Sequence, residues 1–254
     1  MKCDYQHYWD HFYDSGYYNP SQRHRFRLIL SEISTVLKSI PKPLSSVRVI
    51  DLGCGLGHLI HHLKQTYPEL HCRGLDISEK VISELRKKMP DSAWDVWDIQ
   101  KPIDTLSFGH YDIIICSEVL EHCENPEKIL DNAYHLTVPG GWIILTVPGG
   151  EKYRIDNDLG HLRHYRLEQF KEFFTGKPLA QVRLYTWGWP FSNLMRWMVD
   201  KYYGFTKKTF LDTHYTWRQK WFCQLLYCLM FANIHGMGCQ LVGIFRKPQP
   251  TATG

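Results

Sequence analysis

The chain has 254 residues, 44% of them hydrophobic and 22% charged, with a formal charge of +4. These values fit one α/β domain with additions and exclude a disordered, charge-rich chain. So small a positive charge permits an anionic substrate but lacks the clustered basic face that nucleic acid calls for, so no nucleic-acid partner is expected.

Eight cysteines include no C-x-x-C pair, and several fall in expected buried strands, which suits a reduced protein with structural thiols. The first ten residues, M-K-C-D-Y-Q-H-Y-W-D, hold no apolar h-region of a signal peptide. The most apolar late run, Trp221–Phe231, is about half the length of a bilayer span. A cytoplasmic protein without a membrane span is expected.

In chain order, residues 1–20 carry Tyr5, Tyr8, Trp9, Phe12, Tyr13, Tyr17 and Tyr18, read as a flap that packs on the main domain or touches substrate. Ser21 can cap a helix in which Phe26, Ile29, Ile33, Val36 and Leu37 recur at helical spacing, ended by Pro41 and Pro43. Residues 1–44 therefore read as a helical flap, with Arg23, Arg25 and Arg27 on its solvated face.

Val47–Ile50 is a strand that runs into Asp51 and then Gly53, Gly55 and Gly57, spelling D-x-G-x-G-x-G. Alternate glycines bring bare backbone against a ligand, and the helix that follows offers its free N–H groups there. In that helix His58, His61 and His62 have ligand spacing, but no cysteine or carboxylate shares their face, and solvated histidines are expected.

His71–Ile77 reads as the second strand and ends near Asp76, 25 residues after Asp51. A carboxylate there can accept both hydroxyls of a ribose. Ser78 caps the next helix, and Ala93–Ile99 reads as a third strand delivering Asp98 to the same edge. Tyr111–Ser117 is a continuous apolar strand, followed by a helix from Asn125-Pro126 that closes at Gly140-Gly141 and a fifth strand, Trp142–Val147. Strand and helix alternating five times predict an α/β, doubly wound sheet.

The glycine loop with its built-in acid resembles the class I S-adenosylmethionine (SAM)-dependent methyltransferases. Over residues 45–175 it is similar to their small-molecule branch, which includes the ubiquinone-biosynthesis O-methyltransferases. The resemblance implies a Rossmann-like, mostly parallel seven-stranded sheet and SAM as cofactor. It implies cofactor contacts from Asp51, Gly53, Gly55, Gly57 and Ser117, from Asp76 with Ile77 at the ribose, and from Asp98 with Ile99 at the adenine.

Residues 117–122 read S-E-V-L-E-H. If this turn is helical, Glu118, Glu121 and His122 share one face and could hold a divalent cation such as Mg²⁺. The E-x-x-E-H spacing resembles the metal motif of ubiquinone-type O-methyltransferases and of small-RNA 2′-O-methyltransferases, where a further histidine after strand five completes the site. The segment G-H-L-R-H-Y-R offers His161 and His164 for that place, and His161 is preferred. Two other readings stay open: His122 or His161 as a catalytic base without metal, or a purely structural turn. Arg163, His164 and Arg166 could meet an anionic substrate group.

Gln181–Trp189 and Gln240–Arg246 read as the last two strands, and the 50 residues between them contain helical runs at Asn193–Tyr203 and Trp217–Phe231. So long a connection without structure would be improbable. A helical insertion at 190–235 is expected, either covering the substrate site or forming a packing or homodimer surface. The main domain then comprises 45–189 and 236–247, and Pro248–Gly254 reads as a disordered tail. Together these readings predict an enzyme that moves a methyl group from SAM to a hydroxyl of a small metabolite. N- or C-methylation, sugar tailoring and a non-catalytic SAM-binding regulator are the alternatives; a nicotinamide enzyme is disfavoured because the loop is not G-x-G-x-x-G.

Overall fold

Four of the five residues of β1 (Arg48–Leu52) are buried, the pattern of a strand covered on both faces. The structure is a computed structural model and describes residues 17–173, 176, 178–211 and 214–249. The aromatic segment up to residue 16, Phe174 and the tail from residue 250 lie outside the described residues. β1 pairs in parallel with β2 (His71–Asp76) and β4 (Tyr111–Ser117). β3 (Ala93–Val96) extends the sheet past β2, and β5 (Thr137–Pro148) extends it past β4. An antiparallel edge follows, formed by β8 (Gln240–Arg246), β6 (Ala180–Trp189) and β7 (Ile234–His235).

The order is therefore 3-2-1-4-5-8-6-7, eight strands among the described residues where seven are expected. The extra strand, β7, has only two residues, paired to Trp187 and Trp189 of β6. Two residues are too few to leave a period in the sequence. β3 stops at Val96, three residues short of the expected end, because the chain turns after Trp97 N–H donates to the Asp76 carbonyl.

Helices cover both faces. α1 (Pro20–Leu37), α2 (His58–Thr66) and α3 (Glu79–Lys88) enclose one core with Ile29, Ile33, Val49, Ile60, Ile82 and Trp94. The short α4 (Thr105–Phe108) and α5 (Pro126–Leu136) close the other, with Ile50, Ile114, Ile129, Ala133 and Ile143. α1 is capped by Asn19, whose side chain accepts the N–H groups of Ser21 and Gln22, so the cap lies two residues before the expected Ser21. Pro20 opens the helix at a position that needs no N–H.

The order of strands reverses between β1 and β4, which opens a crevice at their carboxyl ends. The described cysteines form no disulfide, and five of those seven are buried. Beyond β5 come α6 (Arg154–Asp158) and α7 (Leu167–Phe173). The insertion between β6 and β8 contains α8 (Phe191–Lys201), α9 (Tyr203–Thr206) and α10 (Trp217–Leu229). Leu28 of α1, Trp187 and Met230 form a small core that ties this insertion to the sheet. No helix among the described residues is long and apolar enough to cross a membrane.

Candidate active site

The loop after β1 is closed onto β2 by its own backbone. The Gly53 and Cys54 N–H groups both donate to the Leu75 carbonyl, at 2.8 and 2.9 Å. Gly55 N–H then donates to Asp76 Oδ2 at 2.9 Å, and Ser78 N–H to Oδ1 at 3.0 Å. Both oxygens of Asp76 are thus oriented by backbone at the rim of a cavity of about 460 Å³. Asp51, Gly53, Gly55, Ile77, Asp98, Ile99 and Ser117 line the same cavity. Asp98 reaches it from the turn after β3, where its Oδ1 accepts the Gln100 N–H at 3.0 Å. That turn is pinned by Asn132 of α5, whose side-chain amide donates to the carbonyls of Ile99 and Lys101.

Gly57 is the exception among the glycines. It does not line the cavity; with φ +70°, a Cβ there would meet Leu85, Met89 and Trp94 at 2.8–2.9 Å. Its role is to let α2 start against α3 and β3. Gly57→Ala is expected to lower unfolding free energy by about 2–4 kcal/mol, combining left-handed strain with overpacking, as read by denaturant titration.

Burial, reinforced by the neighbouring Asp76, raises the Asp51 carboxyl to about 7. Since the folded value exceeds the unfolded one, the stability linked to this group is full below pH 4 and is lost as pH rises through 7. Asp51→Asn has nothing to lose over that window. Its unfolding free energy should match the wild type near pH 4 and exceed it above pH 7 by up to about 4 kcal/mol.

The acidic turn departs from the expected helix. Glu118 has φ +57°, and only Leu120–His122 form a 3₁₀ turn, so Glu118 leaves the face shared by Glu121 and His122. Its carboxylate instead accepts from Gln240 Nε2 at 2.8 Å and Thr146 Oγ1 at 3.2 Å, and pairs with Arg25 Nη1 at 3.3 Å. The expected four-residue ligand set therefore loses Glu118.

What the fold gathers is Glu121, His122 and His161, with one candidate ligand atom of each within 4.8 Å of the others. The rings of His122 and His161 lie 4.7 Å apart, and His122 Nε2 is 4.0 Å from Glu121 Oε1. Glu121 is fully buried, and neither carboxyl oxygen has a hydrogen-bond partner among the described residues. Burial, with Glu118 adding, pushes its pKa well up. Burial also depresses His122, and takes His161 down to about 2. Both imidazoles are neutral at neutral pH and keep a lone pair.

His164 stands behind this group, its Nε2 2.9 Å from His161 Nδ1. Asp156 approaches both rings and accepts from Arg196 Nη2 at 2.8 Å. Asp156, Arg196, Gln240 and Arg25 all line the cavity without a motif to announce them. Arg25 does not lie on the expected solvated face: its side chain is 15% exposed and pairs with Glu118. Arg163 donates to the Glu124 carbonyl, and neither it nor Arg166 lines the cavity, so the expected basic patch does not form there. His58 packs edge-on against Tyr17 and His61 meets Gln65; the His58, His61, His62 set forms no candidate metal group among the described residues. From the insertion, α8 reaches the cavity with Ser192, Met195, Arg196 and Val199.

A family described as "Methyltransferase domain" matches residues 21–182. The ubiquinone biosynthesis O-methyltransferase of Bordetella avium is 30% identical over 113 residues, 43% of this chain and 46% of that protein. The trans-aconitate 2-methyltransferase of Deinococcus radiodurans is 26% identical over 137 residues, 54% of this chain and 51% of that protein. The chain spans about half the length of these curated relatives. A plantazolicin methyltransferase solved in complex with a monoazolic desmethylPZN analog and SAH superposes with a TM-score of 0.61 at 15% identity, over 98% of this chain and 95% of that one. That last likeness bears on the fold alone.

Proposed function

Because the chain belongs to the methyltransferase domain family, we propose that its cavity binds SAM and directs the methyl group to a hydroxyl of a small molecule. The donor set suits that cofactor. Asp76, held by two backbone N–H groups, has lone pairs left for the ribose diol. Asp98 faces the adenine amino group with Ile99 packing beside it, while Asp51, Gly53, Gly55 and Ser117 take the methionine part. When bound, SAM supplies an electrophilic methyl group on a sulfonium. Alignment and exclusion of water are the tasks left to the protein, and α1 and α8 roof the cavity with Phe26, Met195 and Val199.

A hydroxyl acceptor must also give up a proton. The single observation that carries the O-methylation reading is the group of Glu121, His122 and His161, two neutral imidazoles around a carboxyl whose oxygens are unsatisfied. The likeness to a ubiquinone biosynthesis O-methyltransferase supports the same choice. These three residues also suit a divalent cation, which would lower the pKa of a bound hydroxyl. Methyl transfer from labelled SAM to a panel of phenolic, sugar and amine acceptors, with and without chelator, tests both statements. Hydroxyl acceptors are expected to turn over, with activity lost on chelation and restored by Mg²⁺. Turnover of amines alone would overturn O-methylation, and turnover indifferent to chelator would remove the cation.

A further inference from the structure

We propose that the insertion between β6 and β8 docks this protein on the surface of an anionic phospholipid bilayer. Residues 190–237 lie outside the matched family region and carry six Lys or Arg against two Asp, a local +4 equal to the formal charge of the entire chain. Their helices are apolar on the side turned away from the protein. On α10, Trp217, Trp221, Leu225 and Leu229 form a row at intervals of four, and the two tryptophans are 72% and 64% exposed. Cys223 is the one buried residue of that helix, and no charged residue follows Lys220 within it. Along α8, the linking Tyr202 and α9, the side chains of Leu194, Trp197, Met198, Tyr202 and Phe205 are likewise exposed. A folded protein seldom leaves so many large apolar side chains in water unless the surface has an occupant.

The cations choose between occupants. Lys201 Nζ lies 4.6 Å over the Trp197 ring and 5.6 Å over Tyr202, and Arg218 lies 5.4 Å over Trp217. The core of an interface between two copies of a chain is depleted of lysine. Tryptophan and tyrosine interleaved with Lys and Arg suit the headgroup layer, where the rings enter the acyl boundary and the cations meet anionic lipid. No helix among the described residues is long and apolar enough to cross, so the mode is to lie on the bilayer. α8 joins this surface to the cavity: Ser192, Met195 and Arg196 point inward while Leu194, Trp197 and Met198 are exposed. A docked molecule would thus present the mouth of its site near the lipid.

Flotation of the full chain with vesicles tests the proposal. The chain should float with phosphatidylcholine vesicles containing phosphatidylglycerol, much less with phosphatidylcholine alone, and less again in high salt. Trp217→Ser with Trp221→Ser should abolish flotation. Lys208→Glu with Arg218→Glu should weaken it by about fivefold for each positive charge removed. All these positions are exposed, so both double variants should keep the wild-type melting temperature, which is measured alongside. Absence of flotation, or flotation equal between wild type and both variants, would overturn the proposal. So would a stable wild-type dimer in sedimentation that the tryptophan variant splits, since the exposed side chains would then cover each other.

Discussion

Replacing His122 with alanine is expected to cut the methyl-transfer rate by about 10²–10⁴-fold while SAM affinity stays at the wild-type level. The reason is where this imidazole sits. It lines the cavity with His161, next to the fully buried Glu121, and burial keeps it neutral with a lone pair. It takes no part in the backbone clasp that orients Asp76. Whether it accepts the hydroxyl proton or helps to hold a cation, its loss falls on the chemical step. Glu121→Gln separates the two roles. Burial already favours the neutral carboxyl, so the amide keeps its size and the ligand-free melting temperature should hold. A cation site would lose its anionic ligand and most of its activity, whereas a lone histidine base would retain activity. Equal rates for wild type and His122→Ala would remove the cluster from the chemistry.

Asp76→Ala is expected to have the opposite signature, weakening SAM binding by about 1–3 kcal/mol, or about 5–150-fold in dissociation constant. The carboxylate is 8% exposed and accepts two N–H groups from the segments that flank it, so alanine removes a ligand contact and frees the loop that shapes the site. Asp76→Asn keeps one accepting oxygen and should fall between. Calorimetric titration reads both variants. An Asp76→Ala protein that binds SAM like the wild type would place the ribose elsewhere.

The parts of the fold that could be read from the sequence are those with local causes. The strand expected at Tyr111–Ser117, rich in apolar residues, coincides with β4, and the last strand coincides with β8, because burial on both faces leaves a strong signal. The run from Asp51 to Gly57, with Asp76 on the neighbouring strand, marks the crevice for the same reason: glycine and acid act on backbone close by. What was not legible depends on distant contacts. Glu118 takes a left-handed φ that no helix pattern announces, and its partners Arg25 and Gln240 come from opposite ends of the chain. Gly57 looks like its two predecessors, yet it answers to Trp94 and Met89. Asp156 and Arg196 pair across 40 residues, on helices with no shared motif.

Two consequences of the architecture bear on specificity. α8 both lines the cavity, with Met195 and Val199, and belongs to the insertion, whereas Asp76 and Asp98 reach the same cavity from the sheet side. The Arg25–Glu118 pair ties α1 to the end of β4, and both of its residues line the cavity.

We propose that the glycine-lined crevice is an adenosyl site. Calorimetric titration of the wild-type chain with SAM tests it most directly. One molecule bound per chain, displaced by S-adenosylhomocysteine and weakened by Asp76→Ala, is the expected result. No saturable binding of SAM, or saturable binding of a nicotinamide dinucleotide in its place, would contradict it.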